Sequence, residues 1–440
     1  MYSLLFTLAF LLMLPLFIVR REKYASGFRQ RLGYYLPFQQ DSRSVVWIHC
    51  VSVGETNAAR PLAERIRSEF SGCRLIISTT TRTGQELAKR IFSDTADAVF
   101  YFPFDWKFAV RRALQNFRPQ TILLMETEIW PNFVREAKAS GATLAIVNGR
   151  LSERSAKRYA LVRSFIRKIL GNIDLALMQT EADAVRIADL GMLSSRIAVT
   201  GNMKFDLHFT DSDDENARAI GSRFGISSER PLILAASTHA PEERWVLDAH
   251  CSVAAAANST KPRLMIAPRH PERFDEVAAM AGSFGRDPAC EWKGFSVVRR
   301  SAPPSHADAV ADVIILDSIG ELRSIYRLAA IVFVGGSLIR HGGQSILEPA
   351  AAGKAMITGP FTHNFHEAVN IFLAADALIQ LPERSSDAVP DELLFERFEE
   401  LLNDGLLRER LGRNAAAVME ANRGAADKTL DALRPFLRRR

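Results

Sequence analysis

Short apolar runs alternate with amphipathic helical stretches from residue 45 onward, and this rhythm restricts the fold more than any other feature of the sequence. Apolar runs bounded by turn residues predict buried strands. Strands that alternate with helices form parallel sheets, so we predict an α/β fold. The predicted strands are residues 45–49, 74–78, 98–102, 121–125, 143–147, 174–178, 197–200, 231–237, 263–268, 313–317, 331–336, 355–359 and 377–381.

A polar, acidic break divides this alternation into two halves. The stretch HFTDSDDENARAIGS begins at His208, and a second set of apolar runs follows it. A chain of 440 residues with 48% hydrophobic composition can form two hydrophobic cores. We therefore predict two α/β domains. Because open α/β sheets bind ligands at the carboxyl ends of their strands, the polar and glycine-rich strand ends of both halves predict a cleft between the domains.

The N-terminal residues 1–19 are almost wholly apolar and uncharged, and a basic cluster follows them directly. An apolar helix of this length approaches the thickness of a bilayer. A cleaved signal peptide would carry its positive charge before the apolar run and small residues after it. The positive-inside rule predicts an uncleaved membrane anchor or membrane-dipping helix over residues 1–22, with the rest of the chain on the cytoplasmic side. A signal peptide and a buried core helix are the alternatives.

The stretch WIHCVSVGETNAARPL places a glutamate where a predicted strand gives way to a helix. Ser52 and Glu55 match the S-x-x-E capping box, in which the glutamate only satisfies a backbone N–H group. A carboxylate at a strand end is also well placed to meet a substrate. Pro61 would lie deep inside a helix that began at Ser52, at a cost of about 3 kcal/mol. The helix therefore either is kinked or begins later, near Thr56 or Asn57, and in the second case Glu55 precedes it.

A glycine-rich stretch in the second half, GGSLIRHGGQSILEPAAAGKAMITGP over residues 335–360, is the sharpest binding motif. Its glycine pairs allow the backbone to approach a ligand, and a helix starting near Gln344 or Ser345 would offer free N–H groups to a phosphate. Glu348, one turn into that helix, would accept the hydroxyl groups of a ribose. The alternative is structural, because Ser345 and Glu348 also match a capping box.

Charged residues that follow other predicted strands are further candidates. Arg269 and His270 in PRHPERF suit a phosphate or carboxylate, although a solvated loop is the alternative. Lys204 in GNMKFD follows a strand and could face a departing phosphate, although it could also be a surface lysine. Glu126 and Glu128 in LLMETEIWPN share a face if the chain stays extended. Carboxylates there are costly to desolvate unless they are paired, which favours a functional role.

Several other kinds of site lack their sequence signatures. Neither an H-E-x-x-H zinc motif nor a G-x-S-x-G nucleophile elbow occurs, which argues against a zinc protease and a serine-triad hydrolase. The four cysteines are scattered without a C-x-x-C pair, which favours reduced thiols over a disulfide framework or zinc ribbon. A formal net charge of +6 allows an anionic partner without specifying nucleic acid, membrane or acidic ligand.

Taken together, these motifs resemble those of one family, the 3-deoxy-D-manno-oct-2-ulosonic acid (Kdo) transferases of lipid A assembly. The resemblance covers nearly the whole chain. It implies a GT-B fold with two Rossmann-like domains, in which residues 23–207 bind the acceptor and residues 208–440 bind the donor nucleotide. The motifs, in matching order, are the apolar, basic-flanked start, SVGE at 52–55, ETEIWPN at 126–132, NGRLSERS at 148–155, GNMKFD at 201–206, PRHPERF and the GG-x-x-LEP-type loop.

The same resemblance implies the substrates and location. The donor would be CMP-Kdo and the acceptor a phosphorylated lipid A precursor (lipid IVA), on the cytoplasmic face of the inner membrane against its phospholipid surface. Neither a nucleic-acid partner nor a cofactor is implied. The competing hypotheses are another GT-B enzyme with a UDP-sugar donor, similar to lipid A disaccharide synthase or to a nucleotide-sugar epimerase, and a non-enzymatic membrane-surface scaffold.

Roles for individual residues follow from the motif matches. The family's general base is the glutamate of SVGE, here Glu55, and Glu126 and Lys204 match its transition-state stabilisers. Where relatives commonly read GGHN, this chain has Gln344 and Ser345 after the glycines. One base suffices for transfer with inversion, and a cation with N–H groups can hold the leaving phosphate, so we expect no divalent metal ion. The implied CMP site comprises Arg269, His270, Ile319, Gly320, Glu321, Ser345, Ile346, Leu347 and Glu348.

Overall fold

The computed structural model describes residues 2–19, 26–256, 261–284, 295–383 and 390–437. The chain divides into two compact units. The first unit comprises Met1–Asp206 and Asn422–Arg440, and the second comprises Leu207–Ala421. Each unit contains its own parallel sheet, so the prediction of two parallel α/β units is confirmed.

The first sheet has alternate side chains in two different cores. Val45 and Trp47 enter the core on one face, and Val46 and Ile48 enter the core on the other. A sheet buried on both faces needs continuous apolar strands, which explains the uninterrupted runs in the sequence. The strands are β1 (Ser44–Cys50), β2 (Cys73–Thr79), β3 (Ala98–Tyr101), β4 (Thr121–Met125), β5 (Thr143–Gly149), β6 (Leu175–Met178) and β7 (Ile197–Val199), in the order β3-β2-β1-β4-β5-β6-β7.

Helices of the first unit begin at recognisable signals. Thr81 and Thr180 each accept the third backbone N–H of the following helix, and Pro131 occupies a first helical position. The helices are α1 (Tyr2–Val19), α2 (Phe28–Arg31), α3 (Val53–Glu69), α4 (Arg82–Ile91), α5 (Lys107–Phe117), α6 (Pro131–Ala139), α7 (Glu153–Ala160), α8 (Arg163–Leu170) and α9 (Glu181–Asp189), with 3-10 turns at Ser194–Arg196 and Met203–Phe205.

The second unit repeats this plan around another parallel sheet. Its strands are β8 (Leu232–Thr238), β9 (Arg263–Pro268), β10 (Val297–Arg299), β11 (Val313–Ile315), β12 (Ile331–Val334), β13 (Ala355–Thr358) and β14 (Ile379–Gln380), in the order β10-β11-β9-β8-β12-β13-β14. Only β10, a half-buried strand, was not predicted. The helices are α10 (Asp211–Arg223), α11 (Glu242–Ala256), α12 (Phe274–Phe284), α13 (Leu322–Tyr326), α14 (Leu347–Ala351), α15 (His366–Ala374), α16 (Pro390–Asn403) and α17 (Gly405–Ala421), with a 3-10 turn at Pro271–Arg273.

The C-terminal helix α18 (Ala425–Leu437) differs from the predicted division, which assigned all of 208–440 to the second domain. It belongs to the first unit. Asp206 explains how the chain returns, because its carboxylate accepts the backbone N–H groups of Gly424 and Ala426, each at 2.6 Å. Beyond these bonds, Leu430 and Leu433 are buried in the core that α3 also enters.

The N-terminal helix α1, over which the sequence predicted an anchor at 1–22, lies against the first unit. Phe6 and Phe10 pack edge-on against Trp106, and the Trp106 indole N–H donates to Thr7 at 2.9 Å. Leucines at helical spacing stay exposed on this helix, at positions 4, 8, 11 and 12. In the described part of the chain, no helix combines the length and apolar character needed to cross a bilayer.

The cysteines only partly follow the prediction of reduced thiols. Cys50 and Cys73 are buried and free. Cys251 is disulfide-bonded, which the scattered spacing did not predict, because distance along the chain does not reveal proximity in space. Cys290 lies outside the described residues.

Candidate active site

The first sheet reverses its winding between β1 and β4. Strand β1 pairs with β2 on one side and with β4 on the other, so the strands that follow β1 in the chain are added in opposite directions. Ligands of open parallel sheets bind at such a switch point, beyond the carboxyl ends of the strands. Glu55 follows β1 and Glu126 follows β4, so the sheet brings these two predicted residues to its switch point.

Helix α3 begins earlier than predicted. Ser52 is the N-cap residue with extended backbone angles, and the helix starts at Val53 and retains Pro61 inside it. The prediction of a start near Thr56 or Asn57 is therefore wrong. Burial of Leu62 and Ile66 in the core, together with their helical neighbours, offsets the cost of the proline.

Glu55 nevertheless is not half of a closed capping box, because the Ser52 side chain caps no backbone N–H. The Glu55 carboxylate accepts the backbone N–H of Val51 at 2.7 Å and the Ser52 hydroxyl at 3.0 Å. The residue is 6% exposed. The pKa of Glu55 is raised to about 7, mainly by burial and also by the negative charges of Glu126 and Glu128. A carboxyl group with this pKa can accept a proton near neutral pH.

Lys204 and Glu126 lie together, as the sequence predicted for a site at the strand ends. The Lys204 ammonium is 2.8 Å from the Glu126 carboxylate, and both side chains are partly exposed. Glu126 has a left-handed backbone, with φ of 55°, an uncommon conformation for a residue other than glycine. Burial and the charge of Glu126 also raise the pKa of Glu128. Glu55, Glu126 and Glu128 are therefore close enough to interact electrostatically, and Lys204 pairs with one of them, Glu126.

Asn148 positions the turn that carries Lys204, and sequence reasoning did not assign it. This residue follows the apolar part of β5, is fully buried and has φ of 53°. Its side-chain oxygen accepts the backbone N–H of Met203 at 2.9 Å, which fixes the 3-10 turn Met203–Phe205. Its place in the NGRLSERS motif, at a predicted strand end, was the available signal.

The second sheet has an equivalent switch point between β8 and β12. Here Glu242, a fully buried residue that was not predicted, accepts four backbone N–H bonds at 2.6–3.0 Å. Its carboxylate thereby joins the loop after β8 to the glycine-rich loop after β12. Gly335 permits this close approach, since a Cβ atom there would lie 2.7 Å from the Thr238 Cα atom. The four donors are the N–H groups of His239, Gly336, Ser337 and Leu338.

Three histidines cluster beside this glycine-rich loop. The His239 ring centroid is 4.1 Å from that of His341 and 5.2 Å from that of His270, both edge-on. Gln344 places its amide nitrogen 3.2 Å from His239 Nε2. The pKa of His239 is lowered to about 4, mainly by burial and also by the neighbouring histidines and Arg269. The predicted residues Arg269 and His270 are exposed and belong to this basic cluster, whereas His239, His341 and Gln344 were not assigned.

Glu348 lies at the other end of the same loop, in the first turn of α14. Helix α14 begins at Leu347 after Ile346, so the predicted start near Gln344 or Ser345 is wrong, and Ser345 is not the N-cap of a capping box. Burial raises the pKa of Glu348, and the nearby Arg323 guanidinium opposes that rise. A largely buried carboxylate is an acceptor suited to neutral hydroxyl donors.

Of the remaining predicted residues, some are exposed and could touch a ligand, and others are buried and support the loop. Ile319 is exposed, and Gly320 has φ of 95°, which shapes the turn before α13. Glu321 is paired with Arg300 at 2.7 Å. Ile346 and Leu347 are buried, so their side chains support the loop.

Comparison with known proteins reveals relatives along most of the chain. The family model described as 3-Deoxy-D-manno-octulosonic-acid transferase (kdotransferase) matches residues 26–207. A 3-deoxy-D-manno-octulosonic acid transferase of Haemophilus influenzae is 33% identical over 422 residues, which are 96% of this chain and 94% of that protein. The enzyme of the same name from Bordetella pertussis is 33% identical over 397 residues, 89% of this chain and 87% of that protein.

Solved structures resemble the fold. UDP-GlcNAc 2-epimerase from Neisseria meningitidis has a TM-score of 0.58 at 13% identity, covering 89% of this chain and all of that one. A glycosyltransferase from Rickettsia africae has a TM-score of 0.54 at 11% identity, covering 91% of this chain and 100% of that one. Together with the two parallel sheets, these likenesses confirm the predicted GT-B fold class.

Proposed function

This chain belongs to the 3-deoxy-D-manno-octulosonic acid (Kdo) transferase family and is a glycosyltransferase, and from that premise we propose the chemistry of its site. It transfers Kdo from CMP-Kdo to a hydroxyl group of a phosphorylated lipid A precursor, with inversion at the anomeric carbon. The acceptor oxygen forms a bond to the anomeric carbon as the bond to the CMP phosphate oxygen breaks. The hydroxyl proton passes to the enzyme, and the electron pair of the broken bond leaves with CMP.

Glu55 is the base in this proposal, and its environment is the observation that carries the role. Its carboxylate is buried at the switch point of the first sheet and fixed by two hydrogen bonds, and its pKa is raised to about 7. A base of this strength is half ionised near neutral pH and can still accept the proton of an activated hydroxyl. Such a group contributes on the order of 100- to 10,000-fold to the rate.

Lys204 stabilises negative charge in the same proposal. Its ammonium group lies 2.8 Å from the carboxylate of Glu126, which holds it in place. Developing charge in the transition state is best stabilised by groups that are already oriented, because no reorganisation is then needed during the reaction. Glu126 is therefore a positioning residue for Lys204 as well as a contributor to the raised pKa of Glu55.

The second unit binds the donor nucleotide. Arg269 and His270, next to His239 and His341, are the groups that bind the CMP phosphate. Glu348 accepts the ribose hydroxyl groups. Gln344 occupies the position where relatives commonly have the histidine of GGHN, and its amide donates to His239 at 3.2 Å.

Association with the cytoplasmic face of the inner membrane completes the proposal. The support is the line of exposed leucines on α1, at positions 4, 8, 11 and 12, on a helix whose aromatic side chains are held by the first unit. Apolar side chains at this spacing form one face that can enter the interface of a bilayer.

The decisive test supplies the purified chain with CMP-Kdo and a tetraacylated, bisphosphorylated lipid A precursor and determines the product mass. We expect addition of Kdo, loss of most turnover in Glu55→Gln, and retention of CMP binding in that variant. Glu64→Gln is the matched control, since Glu64 is exposed on the same helix. Turnover like that of the wild type in Glu55→Gln would remove Glu55 from the role. Thermal protection by UDP but not by CMP would favour the UDP-sugar alternative.

A further inference from the structure

A basic pocket on the first unit, separate from the Glu55 cluster, has no assigned role. We propose that it binds a phosphate group of the acceptor, an inference that rests on the proposed function and names how the acceptor is recognised. The pocket encloses about 350 Å³ and is lined by Phe28, Arg29, Gln30, Gln85, Lys89 and Tyr101, together with Gly27.

The lining chemistry favours an anion. Arg29 and Lys89 are exposed cations, and neither Asp nor Glu lines the pocket. Among the described side chains, no carboxylate lies within ion-pairing distance of Arg29 or Lys89. Glu86, one turn before Lys89 on α4, is instead 3.5 Å from Arg82.

The two glutamines of the pocket add hydrogen-bond donors. Gln30 uses its side-chain oxygen to accept the backbone N–H of Tyr101 at 2.9 Å. Gln85 uses its oxygen to accept the Thr79 hydroxyl at 2.5 Å. With both oxygens occupied, the amide N–H groups remain as donors. Two cations and two amide donors match the charge and the acceptor oxygens of a phosphate monoester.

The fold builds this pocket rigidly. Gly27 has φ of 69°, and a Cβ atom there would lie 1.9 Å from the Tyr101 ring, so only glycine lets α2 pack this closely. Arg31, 8% exposed, lies below with its guanidinium 4.7 Å from the Tyr101 ring centroid and donates to the carbonyl groups of Ser26 and Thr80. This buried cation fixes the helix that presents Arg29 and adds positive charge beneath the pocket.

A second, larger pocket continues the same surface. It encloses about 730 Å³, shares Arg29 and Gln30 with the first, and adds Arg112. Arg112 lies over the Tyr34 ring at 4.4 Å from its centroid. Its lining also contains neither Asp nor Glu. Arg29 therefore lines both pockets. Together the two pockets have room for a phosphorylated sugar and its neighbouring groups.

The position of the pocket favours the acceptor as its ligand. Gly84, which precedes Gln85, packs against the chain at Val51 and Ser52, whose N–H and hydroxyl groups hold Glu55. On the opposite side, Phe28 contacts Phe104, and Phe104 contacts Phe10 of α1. The walls of the pocket therefore contact the chain next to the proposed base on one side and the aromatic side chains that hold α1 on the other. An acceptor with its phosphate in the pocket would direct its reacting hydroxyl toward Glu55 and its acyl chains toward α1.

The test compares Arg29→Gln/Lys89→Gln with the wild type in steady-state kinetics. With the bisphosphorylated precursor, we expect the acceptor KM to rise about tenfold while kcat and the KM for CMP-Kdo stay close to those of the wild type. With the same precursor after enzymatic removal of its phosphates, the wild type and the variant should have equal KM values. Arg90→Gln, which changes a neighbouring exposed cation outside the pocket, should have no effect.

Two further measurements separate the sources of phosphate and the possible failures. Calorimetric titration with the deacylated, bisphosphorylated disaccharide should give about tenfold weaker binding to the double variant; equal binding would overturn the proposal even if no transfer were observed. Flotation with phosphatidylglycerol-containing vesicles should be unchanged by the two substitutions. Loss of vesicle binding with an unchanged acceptor KM would assign the pocket to lipid headgroups and overturn the acceptor assignment. Absence of transfer by the wild type would instead refute the proposed function.

Discussion

Lys204 and Glu126 form an ion pair of 2.8 Å, although 77 residues of chain separate them. Glu126 follows β4 with a left-handed backbone, and Lys204 lies in a 3-10 turn after β7. Both side chains retain access to solvent, so the pair is worth at most about 1 kcal/mol to stability. The proposed catalytic role would account for a strained residue and an ammonium group at this position.

Lys204→Met should separate activity from stability. We expect turnover to fall by about 100-fold or more, because an oriented cation is lost from the transition state. The melting temperature should change little, because the ion pair is partly exposed. Lys157→Met is the matched control, since Lys157 pairs with Glu153 at 2.7 Å on the surface of the same unit. Equal losses of activity in both variants, measured as kcat/KM, would contradict the assignment.

The acid limb of the pH profile should report Glu55. Because the base must be ionised, kcat should fall as the pH drops through about 7, the raised pKa of Glu55. The charge of Glu128 contributes to that rise, so Glu128→Gln should move the limb to lower pH. A limb that stays in place in Glu128→Gln, or that lies near the ordinary range of a glutamate, would point to another titrating group.

The same raised pKa predicts a cost in stability. The native state holds the Glu55 proton more tightly than the unfolded chain, so the free energy of unfolding should decrease as the pH rises from about 4.5 to about 7. Glu55→Gln removes this loss and should stabilise the protein above pH 7 by on the order of 1 to 3 kcal/mol. Urea denaturation at pH 5 and pH 8 measures the difference. If the variant were less stable than the wild type at pH 8, the Glu55 carboxylate would stabilise the folded state, contrary to this prediction.

Asn148 variants should distinguish backbone strain from hydrogen bonding. Asn148→Gly keeps the left-handed backbone but loses the acceptor for Met203 N–H, whereas Asn148→Ala loses both. We expect both variants to lose about tenfold in kcat, because the turn carrying Lys204 is no longer fixed. Only the alanine variant should carry an additional loss of stability, of about 1 kcal/mol, from the strained backbone. Full activity in Asn148→Gly would exclude a positioning role.

Glu242→Gln should weaken nucleotide binding without touching the nucleotide groups directly. An amide nitrogen in place of one carboxylate oxygen cannot accept the two N–H groups which that oxygen now holds. Each N–H left unpaired costs about 1–3 kcal/mol, so we expect a lower melting temperature and at least tenfold weaker CMP binding. Glu409→Gln, a change at an exposed carboxylate of α17, is the control. CMP affinity equal to that of the wild type would contradict the positioning role.

The strands were predictable because burial on both sheet faces leaves continuous apolar runs. The region around Glu55 was harder to predict. A proline inside a helix normally argues for a later start, and the packing of α3 in the core overrides that local preference. The same applies to α14, whose start after Ile346 depends on the folded loop before it.

The groups that support the site were the least predictable. Asn148 accepts a backbone N–H group 55 residues further along the chain, and Glu242 accepts three that are 94 to 96 residues further along. No local sequence pattern encodes partners at such separations. The histidine cluster also arises only when three separate strand ends meet. Motif resemblance identified the residues proposed to contact ligands, whereas the residues that hold them in place could be identified only from the fold.

The return of α18 to the first unit makes the second unit an insertion in the chain. A fragment comprising residues 207–421 would contain the whole second unit with its sheet intact. A fragment ending at 206 would instead leave the α3 face of the first core uncovered, with the apolar contacts of Leu430 and Leu433 missing. A stop codon near residue 420 would therefore damage the first unit, most of which lies more than 200 residues earlier in the chain, and would leave the second unit almost complete.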